Sequence, residues 1–261
     1  MGPTAHTPRG MHPVLFEIGG VRVYSHGFFF AAGLFVCLFV VAYEARRRRW
    51  PPDEAIPITL SAFVGGVLGA RLAMLLFAGW DAAPVVLDYF SLFDPSVGPG
   101  SILGGMIGAY TGGYLASRAL ETRCTCDAFA PAMALGLAVG RIGDYLSAED
   151  GLGKATTLPW GMPVPGVDYL VHPAPLYDAG FNVLWFCALV ALRDRVPLRD
   201  GDLLKIGFAG YALFRFFVEF VRNNAVLAFG LTGQQLVCVA LVAVTVLYYG
   251  SRQRPALASS A

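Results

Sequence analysis

The sequence predicts an all-α integral membrane protein of about seven transmembrane helices, with its N-terminus outside and its C-terminus cytoplasmic. Composition is the first reason. The chain has 261 residues, of which 56% are hydrophobic and only 14% charged, and its mean hydropathy is +0.58. A soluble domain of that length exposes far more charge. Second, the apolar residues gather into runs of about 20, the length a helix rising about 1.5 Å per residue needs to cross roughly 30 Å of hydrocarbon. Third, the basic residues concentrate in alternate connections, as the positive-inside rule requires.

Seven segments qualify as spans: 23–43, 56–77, 101–118, 127–146, 174–192, 203–221 and 231–250. The third is short and interrupted by glycine. Arg46 to Arg49 follow the first span, and Arg118 and Arg123 separate the third from the fourth. Arg193, Arg195, Arg199 and Lys205 lie between the fifth and sixth, and Arg252 and Arg254 follow the last. These place one side in the cytoplasm; the other carries only Arg9, Arg22, Lys154 and Arg222. A single membrane-embedded domain, 1–261, is expected. It has an outer N-terminal segment over 1–22, an outer loop or arm over 147–173 with an interfacial Trp160, and a cytoplasmic tail over 251–261. A further outward loop, 78–100, carries Asp81, Asp88 and Asp94.

Several function classes are disfavoured. A net charge of +1 gives no basic face for nucleic acid. The five cysteines show no disulfide framework, and Cys124 and Cys126 form a lone Cys-x-Cys with no partner Cys or His pair nearby, so no metal is expected. No half of the chain repeats the other, and no polar path reaches the cytoplasmic half, which speaks against a transporter.

Glycines four apart mark close helix packing: Gly104, Gly108 and Gly112 in span three, with Gly105 and Gly113 beside them, and Gly65 and Gly69 in span two. Charged residues inside spans ask for another explanation, because an ionised side chain at mid-bilayer costs a few kcal/mol on insertion scales (about 3) unless it meets a partner or a wet cavity. Tyr211, Arg215 and Glu219 are four apart on one face of span six. Span four carries Arg141 and Asp144, with Ser147, Glu149 and Asp150 beyond, and Arg71 lies toward the far end of span two. With the orientation above, all fall in the middle or outer half. The outer starts of the inward-running spans carry His26, Ser101, His172, Tyr177, Gln234 and Gln235. Polar groups therefore converge at one depth. Arginines with carboxylates nearby suit a phosphate pocket, since the guanidinium fork matches phosphate oxygens. Read alone, Arg141–Asp144 and Arg215–Glu219 also suit self-neutralising pairs.

The stretch from Gly140-Arg-Ile-Gly-Asp to Glu149-Asp-Gly-Leu-Gly153, with Pro159-Trp-Gly-Met162, resembles the signature of bacterial prolipoprotein diacylglyceryl transferases. His172-Pro-Ala-Pro-Leu-Tyr-Asp178 is similar to that family's His-Pro block, and Gly210 to Glu219 to its last diagnostic segment. Ser101 to Gly108 and His12 to Gly19 fall in the expected order. The resemblance implies transfer of the diacylglyceryl group of phosphatidylglycerol to the lipobox cysteine of a preprolipoprotein signal peptide, releasing glycerol phosphate. It implies a bacterial inner-membrane location with the site toward the outer leaflet, and no cofactor. It also implies catalytic roles for Arg141, Glu149, Arg215 and Glu219. Phosphatidylglycerol contacts are implied at Arg141, Arg215, Asp144, Gly104, Gly105 and Tyr211, and motif-supporting roles at His172, Tyr177 and Gly153.

Four departures from the family pattern stand out. Leu103 replaces a His before Gly104-Gly105, His26 replaces a Tyr in span one, Asp144 replaces an Asn, and Pro175 replaces a Gln. One His is lost and another gained at the same depth, which makes His26 a candidate base, since imidazole titrates near pH 6.5; the other reading of His26 is an interfacial residue that seals the helix end. A divergent non-catalytic or lipid-binding member is the alternative that the Leu103 change favours.

Overall fold

A computed structural model describes residues 12–78, 101–122, 126–147, 153–164 and 167–258. Its frame is helical. Helix α1 is Ser25–Arg47, α2 is Pro52–Ala78 and α3 is Ile102–Ala119. After a 3-10 turn at Cys126–Ala128 come α4, Phe129–Ser147, and α5, Ala174–Arg195. Helix α6 is Asp202–Val218, continued by a 3-10 turn over Glu219–Val221, and α7 is Gly233–Ala258. Five of these helices are long and apolar enough to cross a membrane: α1, α2, α4 with its preceding turn, α5 and α7. The shorter pair falls in two of the expected spans: α3 has 18 residues and many glycines, and α6 has 17 and carries Asp202, Lys205 and Arg215.

Local chemistry sets the helix ends. Pro52 opens α2 with Asp53 and Glu54 in its first turn, where acidic groups meet the positive end of the helix dipole. The Ser101 side chain caps α3 by accepting from the Gly104 amide at 3.2 Å. Helix α6 is capped from another element: the Asp127 carboxylate accepts from the amides of Gly201 and Leu204, both at 3.0 Å. Thr232 and Gln235 form a capping box on α7. The Thr232 hydroxyl accepts from the Gln235 amide at 3.3 Å, and the Gln235 side chain accepts from the Thr232 amide at 3.0 Å.

Short hairpins punctuate the helices, which the all-helical reading did not expect. Strands β1, Val14–Ile18, and β2, Val21–Tyr24, pair antiparallel ahead of α1. Their turn is Gly19-Gly20, with φ of 58° and 84°, a conformation that glycine adopts without strain. In the arm after α4, β3 (Ala155–Thr156), β4 (Met162–Pro163) and β5 (Leu170–Val171) form a sheet in the order β3-β5-β4. Before α7, β6 (Val226–Ala228) and β7 (Leu231–Thr232) close over Phe229-Gly230. Cys126 is disulfide-bonded, a correction to the expectation from spacing, because one bridge needs no framework elsewhere in the sequence. Cys37, Cys187 and Cys238 are free.

Glycine contacts fix two helix pairs. A Cβ on Gly65, Gly69, Gly104, Gly108 or Gly112 would overlap backbone of the facing helix, so α2 and α3 pack antiparallel with their backbones in direct contact. Helices α1 and α4 meet similarly. A Cβ on Gly33 would lie 2.6 Å from the Gly136 carbonyl oxygen, and one on Gly143 would lie 2.7 Å from Phe29 Cβ. The core between α4, α5 and α6 is apolar, built on Ala130, Ala134, Leu189, Leu203 and Leu204.

Two polar networks occupy opposite ends of the bundle. One surrounds Glu44, 1% exposed, which pairs with Arg193 and lies 3.5 Å from Arg48. The other lies where α4 and α6 end and where α1, α5 and α7 begin. It contains most of the candidate site residues.

A buried arginine–carboxylate site

Helix α4 presents Arg141 and Asp144, three residues apart, on the face turned to α1 and α5. Arg141 Nη1 donates to Asp144 Oδ2 at 2.6 Å, and its Nε lies 3.2 Å from Asp178 Oδ2 in the first turns of α5. On α6, Arg215 Nη2 lies 2.9 Å from Glu219 Oε2, and Arg215 Nη1 lies 3.7 Å from that same Asp178 oxygen. Arg222, just past α6, donates to it as well at 3.1 Å. Three guanidinium groups thus surround one carboxylate oxygen. Arg141, Arg215 and Arg222 are 4%, 4% and 3% exposed, and Asp178 is 0% exposed.

The remaining partners complete the shell. The Gln234 side-chain oxygen accepts from Arg215 Nε at 3.0 Å and also from its Nη2. Glu219 accepts from Asn224 at 2.5 Å and from the Thr232 hydroxyl at 3.0 Å. His26 Nδ1 sits 2.9 Å from Asp144 Oδ1. With all acids ionised, Arg141, Arg215 and Arg222 are balanced by Asp144, Asp178 and Glu219. Low exposure makes these pairs strong, but removing their charges from water costs several kcal/mol per ion (roughly), so their value to stability alone is small. Hydrogen bonding is also incomplete: Arg215 Nη1, Asp178 Oδ1 and the Tyr211 hydroxyl are buried without a hydrogen-bond partner among the described residues. Such groups occur where a ligand or water completes the shell.

Of the residues singled out from sequence, His26, Arg141, Asp144, Arg215 and Glu219 come together, with Tyr211 buried on the same helix as Arg215. His172, Tyr177 and Gly153 form a supporting group. His172 Nδ1 is 3.3 Å from the Tyr177 hydroxyl, which accepts from Trp160 at 2.9 Å, and Gly153 lies flat against the His172 backbone. Gly153 also pairs with Arg222 in an isolated bridge, which ties the arm to the arginine cluster. Gly104 and Gly105 face α2: a Cβ on Gly104 would overlap Ala73 and the Gly69 carbonyl, and one on Gly105 would touch Ala70 and Gly66. Leu103, 2% exposed, lies in an apolar cluster with Met106, Tyr211, Ala212 and Cys238. Glu149 and the loop 79–100 fall outside the described residues.

Asp178 and Arg222 were missed as site residues. Both had a signal: Arg222 extends the series Arg215, Glu219 by three residues on the same helical face, and Asp178 ends the His172 block.

The fold and this cluster define a polytopic helical membrane protein with an arginine-lined polar site at one end of its bundle. Comparison gives the family: prolipoprotein diacylglyceryl transferase matches over residues 13–250, and the chain belongs to it. The phosphatidylglycerol–prolipoprotein diacylglyceryl transferase of Chlorobaculum tepidum is 29% identical over 270 residues, covering 95% of this chain and 93% of that one. The protein of that name from Coxiella burnetii is 32% identical over 222 residues, covering 81% and 82%. That from Pseudoalteromonas atlantica is 29% identical over 216 residues, covering 81% and 75%. Membership supports a function of the diacylglyceryl-transfer type in a multi-pass protein of the bacterial inner membrane.

Proposed function

We propose that this protein transfers the diacylglyceryl group of phosphatidylglycerol to the lipobox cysteine of preprolipoprotein signal peptides. The observation that carries the reading is the convergence of Arg141, Arg215 and Arg222 on one oxygen of Asp178, beside Arg215 Nη1 and a Tyr211 hydroxyl that lack hydrogen bonds among the described residues. Asp178 holds the arginine forks in place while no anion is bound. A lipid phosphate entering the cluster takes over part of that pairing through charge-assisted hydrogen bonds.

The chemistry follows from this arrangement. The thiol of the acceptor cysteine gives its proton to His26, because the thiolate is the nucleophile. The thiolate attacks the glyceryl carbon bonded to the phosphate oxygen. A C–S bond forms, the C–O bond breaks, and its electron pair leaves on that oxygen as glycerol phosphate. The leaving phosphate gains a second negative charge as this happens. Arg141 and Arg215 stabilise that growing charge, and His26, now cationic, balances it. Nucleophile and donor both come from substrates, so no thiol of this chain takes part.

In the membrane, seven spans with the N-terminus outside and the C-terminus cytoplasmic put the cluster under the outer leaflet. The distribution of arginines between connections supports that orientation. A second reading, a lipid-binding member without turnover, is favoured by the apolar setting of Leu103. Purified protein given phosphatidylglycerol and a lipobox peptide separates the two. Transfer to the Cys peptide, absent with a Ser peptide, supports the transferase; lipid binding without transfer supports the alternative.

A further inference from the structure

The sequence suggested His26 as a base and grouped Asp144 with the lipid contacts. The structure joins them. His26 is the second residue of α1, and Asp144 is on α4, 118 positions later. Gly143 makes the meeting possible: a Cβ there would lie 3.1 Å from the Ser25 carbonyl oxygen and 3.3 Å from His26 Cα, so only glycine lets the first turn of α1 rest on α4. The His26 and Asp144 side chains are 30% and 11% accessible, which sets a part-exposed imidazole over a nearly buried carboxylate. Phe30 stacks on the imidazole at 6.4 Å.

The carboxylate itself is pinned. One oxygen meets His26 Nδ1 at 2.9 Å, and the other accepts from Arg141 at 2.6 Å. Arg141 is held in turn by Asp178 at 3.2 Å. A carboxylate fixed by an arginine on one side favours the imidazole tautomer that donates from Nδ1, and that tautomer carries its basic lone pair on Nε2. An uncharged Asn at this position can present its amide as well as its oxygen, so it selects the tautomer less strongly.

We infer that Asp144 is a positioning residue: it fixes the tautomer and ring orientation of His26, so that Nε2 is the atom that takes the proton from the acceptor thiol, and it couples that base to the phosphate-binding Arg141. The inference rests on the transferase reading above. It also reassigns Asp144, since a carboxylate repels a lipid phosphate and belongs on the base side of the site.

The test is a double-mutant cycle on the full chain in phosphatidylglycerol nanodiscs, with lipobox-peptide turnover as readout. His26→Ala lowers kcat by on the order of 10²–10⁴, the range for losing a general base, and added imidazole restores part of it. Asp144→Asn lowers kcat by on the order of 10² or more in the wild-type background. In the His26→Ala background it lowers kcat by no more than about threefold, because there is no ring left to orient. Asp144→Glu keeps the charge beside Arg141 but moves the carboxylate relative to Nδ1, and its loss also falls in kcat rather than KM. If Asp144 serves only as the counter-ion of Arg141, Asp144→Asn costs the same factor in both backgrounds and Asp144→Glu stays near wild type; either result overturns the inference. If His26→Ala leaves turnover unchanged, the dyad is overturned while the transferase reading stands. A wild-type chain that binds lipid but transfers nothing overturns the transferase reading itself, and the inference with it.

Discussion

Asp178 carries more of the site's electrostatics than any other side chain, and Asp178→Asn isolates its charge. The substitution keeps shape and one acceptor oxygen but removes the negative charge from a position 3.2 Å from Arg141, 3.1 Å from Arg222 and 3.7 Å from Arg215. Breaking a buried ion pair by removing one partner costs about 3–5 kcal/mol. Retention of the acceptor places this case near the lower end, about 3 kcal/mol, which lowers Tm by roughly 6–12 °C in a chain of this length. Lipid dependence then discriminates. If the three arginines accept a headgroup phosphate, an anionic lipid replaces the missing charge. In phosphatidylglycerol nanodiscs the drop should therefore shrink to less than about half of its size in phosphatidylcholine. Scanning fluorimetry of wild type and variant in both bilayers reads this directly. An equal drop in the two lipids refutes the phosphate site. No drop in either refutes the role assigned to Asp178.

Other expectations follow from individual contacts. Arg141→Lys keeps the charge but loses the fork that reaches Asp144 and Asp178 together, so peptide lipidation should fall by about 10²–10³ with little change in Tm. Gly143→Val forces α1 away from α4 and should lower stability by about 1–3 kcal/mol in a melting assay while also reducing turnover. Gly108→Val meets the Gly65 backbone and should cost a similar 1–3 kcal/mol (about), but because Arg141, Arg215 and Arg222 all lie outside α2 and α3, the turnover of the folded fraction should hold. Thr232→Val removes both the α7 cap and a hydrogen bond to Glu219, and a loss of about 1–2 kcal/mol is expected in thermal melts.

The helices were legible because hydrocarbon imposes a length and a composition that few other structures share. Each of the expected spans coincides with a helix, and the first six match to within four residues: 101–118 became Ile102–Ala119, and 174–192 became Ala174–Arg195, while the last helix, Gly233–Ala258, runs beyond its expected end at 250. The glycine spacing in spans two and three also read correctly, since backbone contact between helices leaves no room for side chains. The hairpins were overlooked although Gly19-Gly20 lies between Val14–Ile18 and Val21–Tyr24, a strong signal for a two-residue turn. Hydropathy does not register it, because strands this short leave the apolar runs unchanged.

The site was half legible. Arg215 and Glu219 announce themselves at helical spacing, as do Arg141 and Asp144. What sequence does not disclose is which helices share a carboxylate. Asp178 lies among apolar residues of α5, and only packing of α4, α5 and α6 reveals that its one oxygen serves three arginines. Arg222 was assigned to an outer connection because it follows a span. In the structure the 3-10 turn at Glu219–Val221 folds it back to 3% exposure. Gly104 and Gly105 were read both as packing glycines and as lipid contacts, and it is the packing against α2 that the structure describes.

The most direct measurement is an experimental structure of the protein in bilayers of phosphatidylglycerol. The lipid phosphate should sit within hydrogen-bond distance of both Arg141 and Arg215, with the arginines drawn partly off Asp178 and the glyceryl carbon open to the side of His26. A lipid phosphate bound elsewhere, with Arg141, Arg215 and Arg222 still closed on Asp178, would contradict the proposed site.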